Sequence, residues 1–145
     1  IMRNLSSVAF IGFTFSALIN LSSYFFHFAL SFVLCIFLIF PIFAIAISVI
    51  SKKLEINFNV LTIVLLFYAI GTLFIMINIL DNFSVEKNGL DYILKNRATF
   101  IREATLEEYN LYKRRSSRLI SAYLLFFYHL LYSTLKLSNS KQNSQ

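Results

Sequence analysis

Few side chains in this 145-residue chain carry chemistry, and they fall into four groups. These are His27 and His129, the single Cys35, the acids Glu103, Glu107 and Glu108, and the bases Lys113, Arg114, Arg115 and Arg118. Two histidines on neighbouring membrane helices are what a bis-imidazole haem site requires. His27 lies near one end of a long apolar run and His129 midway along another, so their depths need not match. A hydrogen bond between helices accounts for His129 without a cofactor. An ionisable side chain inside an apolar run is still a functional candidate by default, which makes His129 the intramembrane polar candidate. Cys35 has no second cysteine to pair with, and no Cys–His metal cluster can be built from it. The three glycines are isolated, so no phosphate-cradling loop is present. No Asp or Glu lies in the interior of an apolar run, which argues against a carboxylate relay. The spacing of Glu103, Glu107 and Glu108 suits a helix cap and a solvated face better than acid–base catalysis. The four bases adjoin an apolar run, the position of a membrane-interface anchor rather than of a nucleic-acid patch. No catalytic, cofactor-binding or metal-binding residue is therefore expected, and no small-molecule substrate is evident.

The elements that must position these groups are set by hydropathy. From Asn4 to Ser51 the chain contains no Asp, Glu, Lys or Arg. One helix needs only about 20 apolar residues to cross a bilayer. A straight helix over Leu5–Ile50 would be about 69 Å long, against a hydrocarbon core of about 30 Å. The run must fold back, and its densest polar cluster, Asn20 to Ser23, predicts the turn. This gives spans over residues 5–22 and 24–50, the first of which has a re-entrant or interfacial segment as its alternative. Pro41 predicts a kink in the second, because it frees the Phe37 carbonyl. Gly12 with Ser16, and Ala44 with Ser48, are small residues four apart that would let helices approach closely. Lys52, Lys53, Glu55 and Asn57 form a short loop before a span over 60–80, in which Gly71 and Thr72 are placed to face another helix and Tyr68 to pack between helices. A last apolar run covers 119–137. The expected fold is an all-α membrane protein with three or four transmembrane helices.

Residues 81–118 form the extramembrane part and hold six of the seven acids and eight of the thirteen bases. Asn88-Gly89 signals a turn. Asp91–Leu94 and Thr99–Arg102 are rich in strand formers and flank Lys95–Ala98, which predicts a small β-hairpin. Thr105 and Glu108 form a capping box, so a helix should start at Leu106 and run without a stop signal through 119–137. That helix would be about 32 residues and about 48 Å long, with Lys113, Arg114, Arg115 and Arg118 at the headgroup crossing. Residues 138–145 read as a disordered tail. The organisation is thus 1–80 as the N-terminal transmembrane part, 81–118 outside, 119–137 as the last transmembrane helix, and 138–145 as the tail.

The 81–118 side carries eight bases against five with four spans, or nine against four with three. The positive-inside rule then places it in the cytoplasm, in a bacterial inner membrane or, alternatively, an organellar one. Ile1 precedes Met2, the expected initiator, and the N-terminal run lacks a convincing cleavage site, so it is expected to be retained.

Asn88-Gly89, Tyr92 to Leu94, Thr105 to Tyr109, Tyr112, Arg118 and Phe127-Tyr128 together resemble the C-terminal part of a family of small uncharacterised bacterial multi-span membrane proteins. The likeness covers about a quarter of the chain. It implies a membrane location and about four spans, and it implies no activity. The abundance of Phe, Ile, Tyr and Asn with few Gly also resembles colicin-type immunity proteins in composition. Three functions follow as expectations. The first is a non-catalytic subunit or accessory component of a larger membrane complex, whose partners are the bilayer and other membrane subunits. The second is immunity against a membrane-active toxin. The third is a membrane redox protein using His129.

Overall fold

The computed structural model describes residues 2–26, 32–77, 84–96 and 99–143. In chain order these form α1 (Met2–Phe25), α2 (Phe32–Ser51), α3 (Val60–Ile77), β1 (Ser84–Asn88), β2 (Asp91–Asn96), β3 (Thr99–Ala104) and α4 (Leu106–Asn143). His27, Asn78, Asp81, Asn82 and Arg97 lie outside the described residues.

Three helices are long and apolar enough to cross a membrane: Asn4–Phe25, Leu34–Ser51 and Val60–Ile77. The turn expected at Asn20 to Ser23 is not there. α1 runs unbroken through it to Phe25, so the spans read as 5–22 and 24–50 become Met2–Phe25 and Phe32–Ser51. The reason is tertiary. Asn20 and Ser23 are buried and satisfied by α4 and by their own helix, which removes their competition with helical backbone bonds. α2 is continuous through Pro41. It closes in a Schellman motif: Lys53, at φ 50°, takes the left-handed position, Leu54 N–H bonds the Val49 carbonyl and Lys53 N–H the Ile50 carbonyl. Asn59 caps α3, its Oδ1 accepting from the Thr62 backbone N–H at 2.9 Å.

The two apolar cores fix the direction of the helices. Ala9, Ile45, Val49, Leu131 and Leu135 form one; Ile19, Leu38, Leu124 and Tyr128 form the other. The chain therefore runs up in α1, down in α2 and down in α4, and the Thr62–His129 and Asn20–Tyr68 contacts set α3 parallel to α1. α4 is the hub against which the other three pack. Its seam with α1 is made of small residues. Ala9, Gly12, Ser16 and Ser23 are buried on α1 and Ser117, Ser121 and Ala122 on α4, with Ala9 against Leu131 and Leu135, Gly12 against Tyr128 and the Asn20–Ser23 end against Arg118 and Ser121. A Cβ on Gly12 would fall inside the Tyr128 ring, so this position needs glycine. The Tyr128 hydroxyl in turn donates to the Leu38 carbonyl of α2 at 2.5 Å. Of the two small pairs, Gly12 with Ser16 lies on the seam, whereas Ala44 is exposed.

The polarity is inverted relative to a water-soluble bundle. Ser117, Ser121, His129, Ser133 and Thr134 of α4 are buried at the centre, while Phe37, Phe40, Ile50 and Val60 of the apolar helices point outward at 72–78% exposure.

Instead of a two-stranded hairpin, residues 84–104 form a three-stranded antiparallel meander in the order β1-β2-β3. The sequence reading missed β1, whose Ser-Val-Glu-Lys-Asn is short and mostly polar. The β1–β2 turn is centred on Gly89-Leu90, one residue later than Asn88-Gly89, because Asn88 pairs with Asp91. Only Gly89 there has positive φ, at 65°, as a type II′ turn requires at its first position. Val85 and Leu94 pair directly and are both buried. The Tyr92 ring stacks 4.8 Å from Tyr109, fastening the sheet to α4. The capping box forms as expected: Glu108 N–H bonds Thr105 Oγ1 at 3.1 Å and Thr105 N–H bonds Glu108 Oε2 at 2.8 Å. α4 then extends 38 residues to Asn143, so residues 138–143 are helical rather than a disordered tail. The last turns are held to the α2–α3 loop by an ion pair between Lys141 and Glu55 at 2.7 Å.

Candidate functional site: two polar clusters on the last helix

The four bases expected together at the membrane interface part company in the fold. The Lys113 ammonium sits 5.0 Å from the centre of the Tyr109 ring. Arg114 lines a shallow surface groove with Leu106, Glu107, Asn110 and Leu111. Arg115 and Arg118, three residues apart and so on one helical face, turn inward toward α1 and α3. With Tyr24, Tyr68, Gly71 and Ile75 they line a cavity of about 180 Å³. Thr72 completes its wall, its hydroxyl occupied by the Ala69 carbonyl at 2.7 Å.

This cluster is built across three helices. Asn20 Nδ2 donates to Ser121 Oγ at 2.8 Å and reaches the Arg118 carbonyl at 3.4 Å. Tyr68 OH donates to Asn20 Oδ1 at 2.8 Å, and Tyr24 OH lies 3.1 Å from Tyr68 OH. The Arg118 guanidinium lies flat over the Tyr24 ring, 3.8 Å from its centre, and donates through Nη2 to the Ser23 carbonyl at 3.2 Å. The Nε atoms of Arg118 and Arg114 are buried with no hydrogen-bond partner. Among the described residues no carboxylate pairs with Arg114, Arg115 or Arg118. This end of the bundle thus holds more positive charge than the described residues neutralise.

His129 belongs to the opposite end. Its Nδ1 lies 3.0 Å from Thr62 Oγ1. Thr62 Oγ1 spends its single proton on Asn59 Oδ1 at 2.9 Å, so His129 must supply the proton of its bond, and its neutral form carries that proton on Nδ1. The ring packs 5.4 Å from Phe13. Midway by sequence, His129 in the fold stands level with the first turn of α3. It borders a cleft of about 400 Å³ with Asn57, Asn59, Ser133 and Lys136. The loop residue Asn57 is sewn to α4 there: its N–H bonds Thr134 Oγ1 at 3.1 Å and its carbonyl accepts from Ser133 Oγ at 3.0 Å. Among the described residues no group of three His, Cys, Asp or Glu is placed to hold a metal ion.

Outside both clusters, the Arg102–Glu108 pair at 2.6 Å secures the start of α4. The Arg102 hydrogen bond first, then the Thr105 backbone N–H, push the Glu108 carboxyl down to about 2. Hydrogen bonding to Lys141 likewise lowers the fully exposed Glu55.

Sequence reasoning missed Asn20, Ser121, Asn57 and Thr62. Two signals pointed to them. Small or polar residues recur every three or four positions from Ala9 to Ser23 and from Ser117 to Ser121, and Asn59 stands three residues before Thr62 at the opening of an apolar run. No family model, curated protein or solved structure matches this chain.

Proposed function

We propose that the chain is an integral membrane protein of four spans, α1, α2, α3 and the 119–137 part of α4, and that it serves without catalysis as a subunit or accessory component of a larger membrane complex. The inverted polarity supports the embedding. Outward Phe and Ile side chains each gain about 1.5–3 kcal/mol when an apolar medium covers them, and contiguous apolar surfaces of this extent are not kept in water. The central helix is polar because α1, α2 and α3 surround it. The proposed orientation keeps 81–118 on the cytoplasmic side of a bacterial or organellar inner membrane, on the larger basic count of that side.

The observation that carries the docking role is the sheet. Beyond the spans Leu90 in the β1–β2 turn is 93% exposed, Phe100 and Ile101 of β3 are exposed, and so is Leu106 at the start of α4. Tyr92 already fastens one face of the sheet to α4 through Tyr109, and Leu90 and Phe100 are left exposed to engage a partner protein. Gentle detergent extraction of the native chain, with mass spectrometry of what accompanies it, should recover a stoichiometric membrane partner. Leu90→Asp with Phe100→Asp should lose that partner while membrane insertion is unchanged. Recovery of the chain alone, or retention of the partner by the double variant, would refute the subunit reading.

A further inference from the structure

We propose that the cavity between α1, α3 and α4 is a binding site for the phosphate headgroup of an anionic phospholipid, with Arg115 and Arg118 as the phosphate ligands. The proposal rests on the membrane embedding above and not on the docking role. Charge complementarity is the first argument. Two arginines, Arg115 and Arg118, line one cavity, and among the described residues no carboxylate neutralises either side chain. Two half-buried cations beside one cavity favour an anion there, and the planar donor fork of arginine matches phosphate oxygens in pairs.

The shape selects a lipid over free phosphate. The rest of the cavity wall is Gly71, Ile75, the rings of Tyr24 and Tyr68, and Thr72 with its hydroxyl occupied by the Ala69 carbonyl, a surface suited to glycerol and the first acyl methylenes. Nothing lies within 4 Å of where a Gly71 Cβ would be, so the α3 wall is open at that point. Tyr24 and Ile75 are both exposed on the outer surface, which gives the cavity a mouth toward the surrounding medium. The Tyr68, Asn20 and Ser121 hydrogen bonds hold the floor in place. Arg118 is itself oriented by the Tyr24 ring and the Ser23 carbonyl, so the site is arranged before any ligand arrives.

The test uses the full chain reconstituted in phosphatidylcholine nanodiscs doped with phosphatidylglycerol, with native mass spectrometry counting the lipids each protein retains. Wild type should retain phosphatidylglycerol in preference to phosphatidylcholine. Arg115→Gln and Arg118→Gln should each reduce that retention about tenfold, the scale of one charge-assisted hydrogen bond. Gly71→Leu, which adds bulk to the cavity and leaves both arginines in place, should reduce it comparably. Because Arg118 also ties α4 to α1, Arg115→Gln and Gly71→Leu carry the test if Arg118→Gln fails to fold. Inorganic phosphate should not displace the lipid. Equal retention of both lipids by wild type, or wild-type retention by both Arg115→Gln and Gly71→Leu, would overturn the site. Full displacement by inorganic phosphate would overturn the lipid as its occupant. A chain that stays in solution without detergent or lipid would instead refute the membrane embedding.

Discussion

The two ends of α4 use similar residue types to opposite effect. Around His129, the chain closes its own hydrogen bonds: Asn59 caps Thr62, Thr62 accepts from His129, and Asn57 exchanges bonds with Ser133 and Thr134. Around Arg118, hydroxyls and an amide are equally well paired, but Arg118 keeps its Nε without a partner although its Nη2 donates to the Ser23 carbonyl, and among the described residues no carboxylate pairs with Arg115 or Arg118. The difference teaches that polarity inside an apolar bundle is not in itself a sign of function. A buried polar group whose partners are all supplied by the fold rigidifies it; a surplus of positive charge facing a cavity needs something from outside. By that criterion His129, the more conspicuous residue in the sequence, is satisfied by the fold, and the basic cluster divides between Lys113 on the Tyr109 ring and Arg115 and Arg118 at the cavity.

That comparison can be broken first at the seam that joins both ends. Gly12→Leu would drive a side chain into the Tyr128 ring and should destabilise the whole bundle by about 3 kcal/mol or more, read as a lowered helical melting midpoint in detergent. If the protein melts as wild type, the α1–α4 packing described above is wrong. The closed end is sharpened next. Thr62→Val keeps the volume but strands the His129 Nδ1 proton, at a cost of about 2 kcal/mol. Thr62→Val with His129→Phe removes both partners and should recover most of that loss, whereas a catalytic or ligand-binding histidine would give no such recovery in stability and activity together. The smallest effect concerns neither cluster. The Glu108 carboxyl sits at about 2 when folded against an ordinary 4.5, so its bonds stabilise fully above about pH 5 and are lost as pH falls toward 2. Glu108→Gln should remove that acid sensitivity from amide hydrogen exchange at the start of α4, and because Arg102 is largely exposed the change should stay below about 1 kcal/mol at neutral pH.

Much of this fold is legible from local pattern. The charge-free run over Asn4–Ser51 and the apolar run from Val60 place three helices, and Thr105 with Glu108 places the start of the fourth to the residue. β2 and β3 follow from their strand formers. What pattern misjudged was polarity in context. Asn20, Ser22 and Ser23 read as a turn because in isolation their side chains compete for backbone bonds. Once Ser121 and Tyr68 accept and donate to Asn20, that competition ends and the helix continues. Residues 138–145 read as a tail because they are a short polar terminus, whereas α4 carries its helix on to Asn143, where Lys141 meets Glu55.

The sequence by itself determined that long apolar helices occupy the charge-free run and the run from Val60, the capped start of α4, and the absence of any motif for phosphate-loop or cysteine-metal chemistry, because these depend on composition and on spacing along one helix or strand. Only the tertiary structure decided that the most polar helix lies at the centre, that Arg115 and Arg118 turn inward while Lys113 stays at Tyr109, and that His129 stands beside the cap of α3. Those outcomes depend on which groups from distant parts of the chain arrive at the same place with bonds still to make, and no local pattern carries that information.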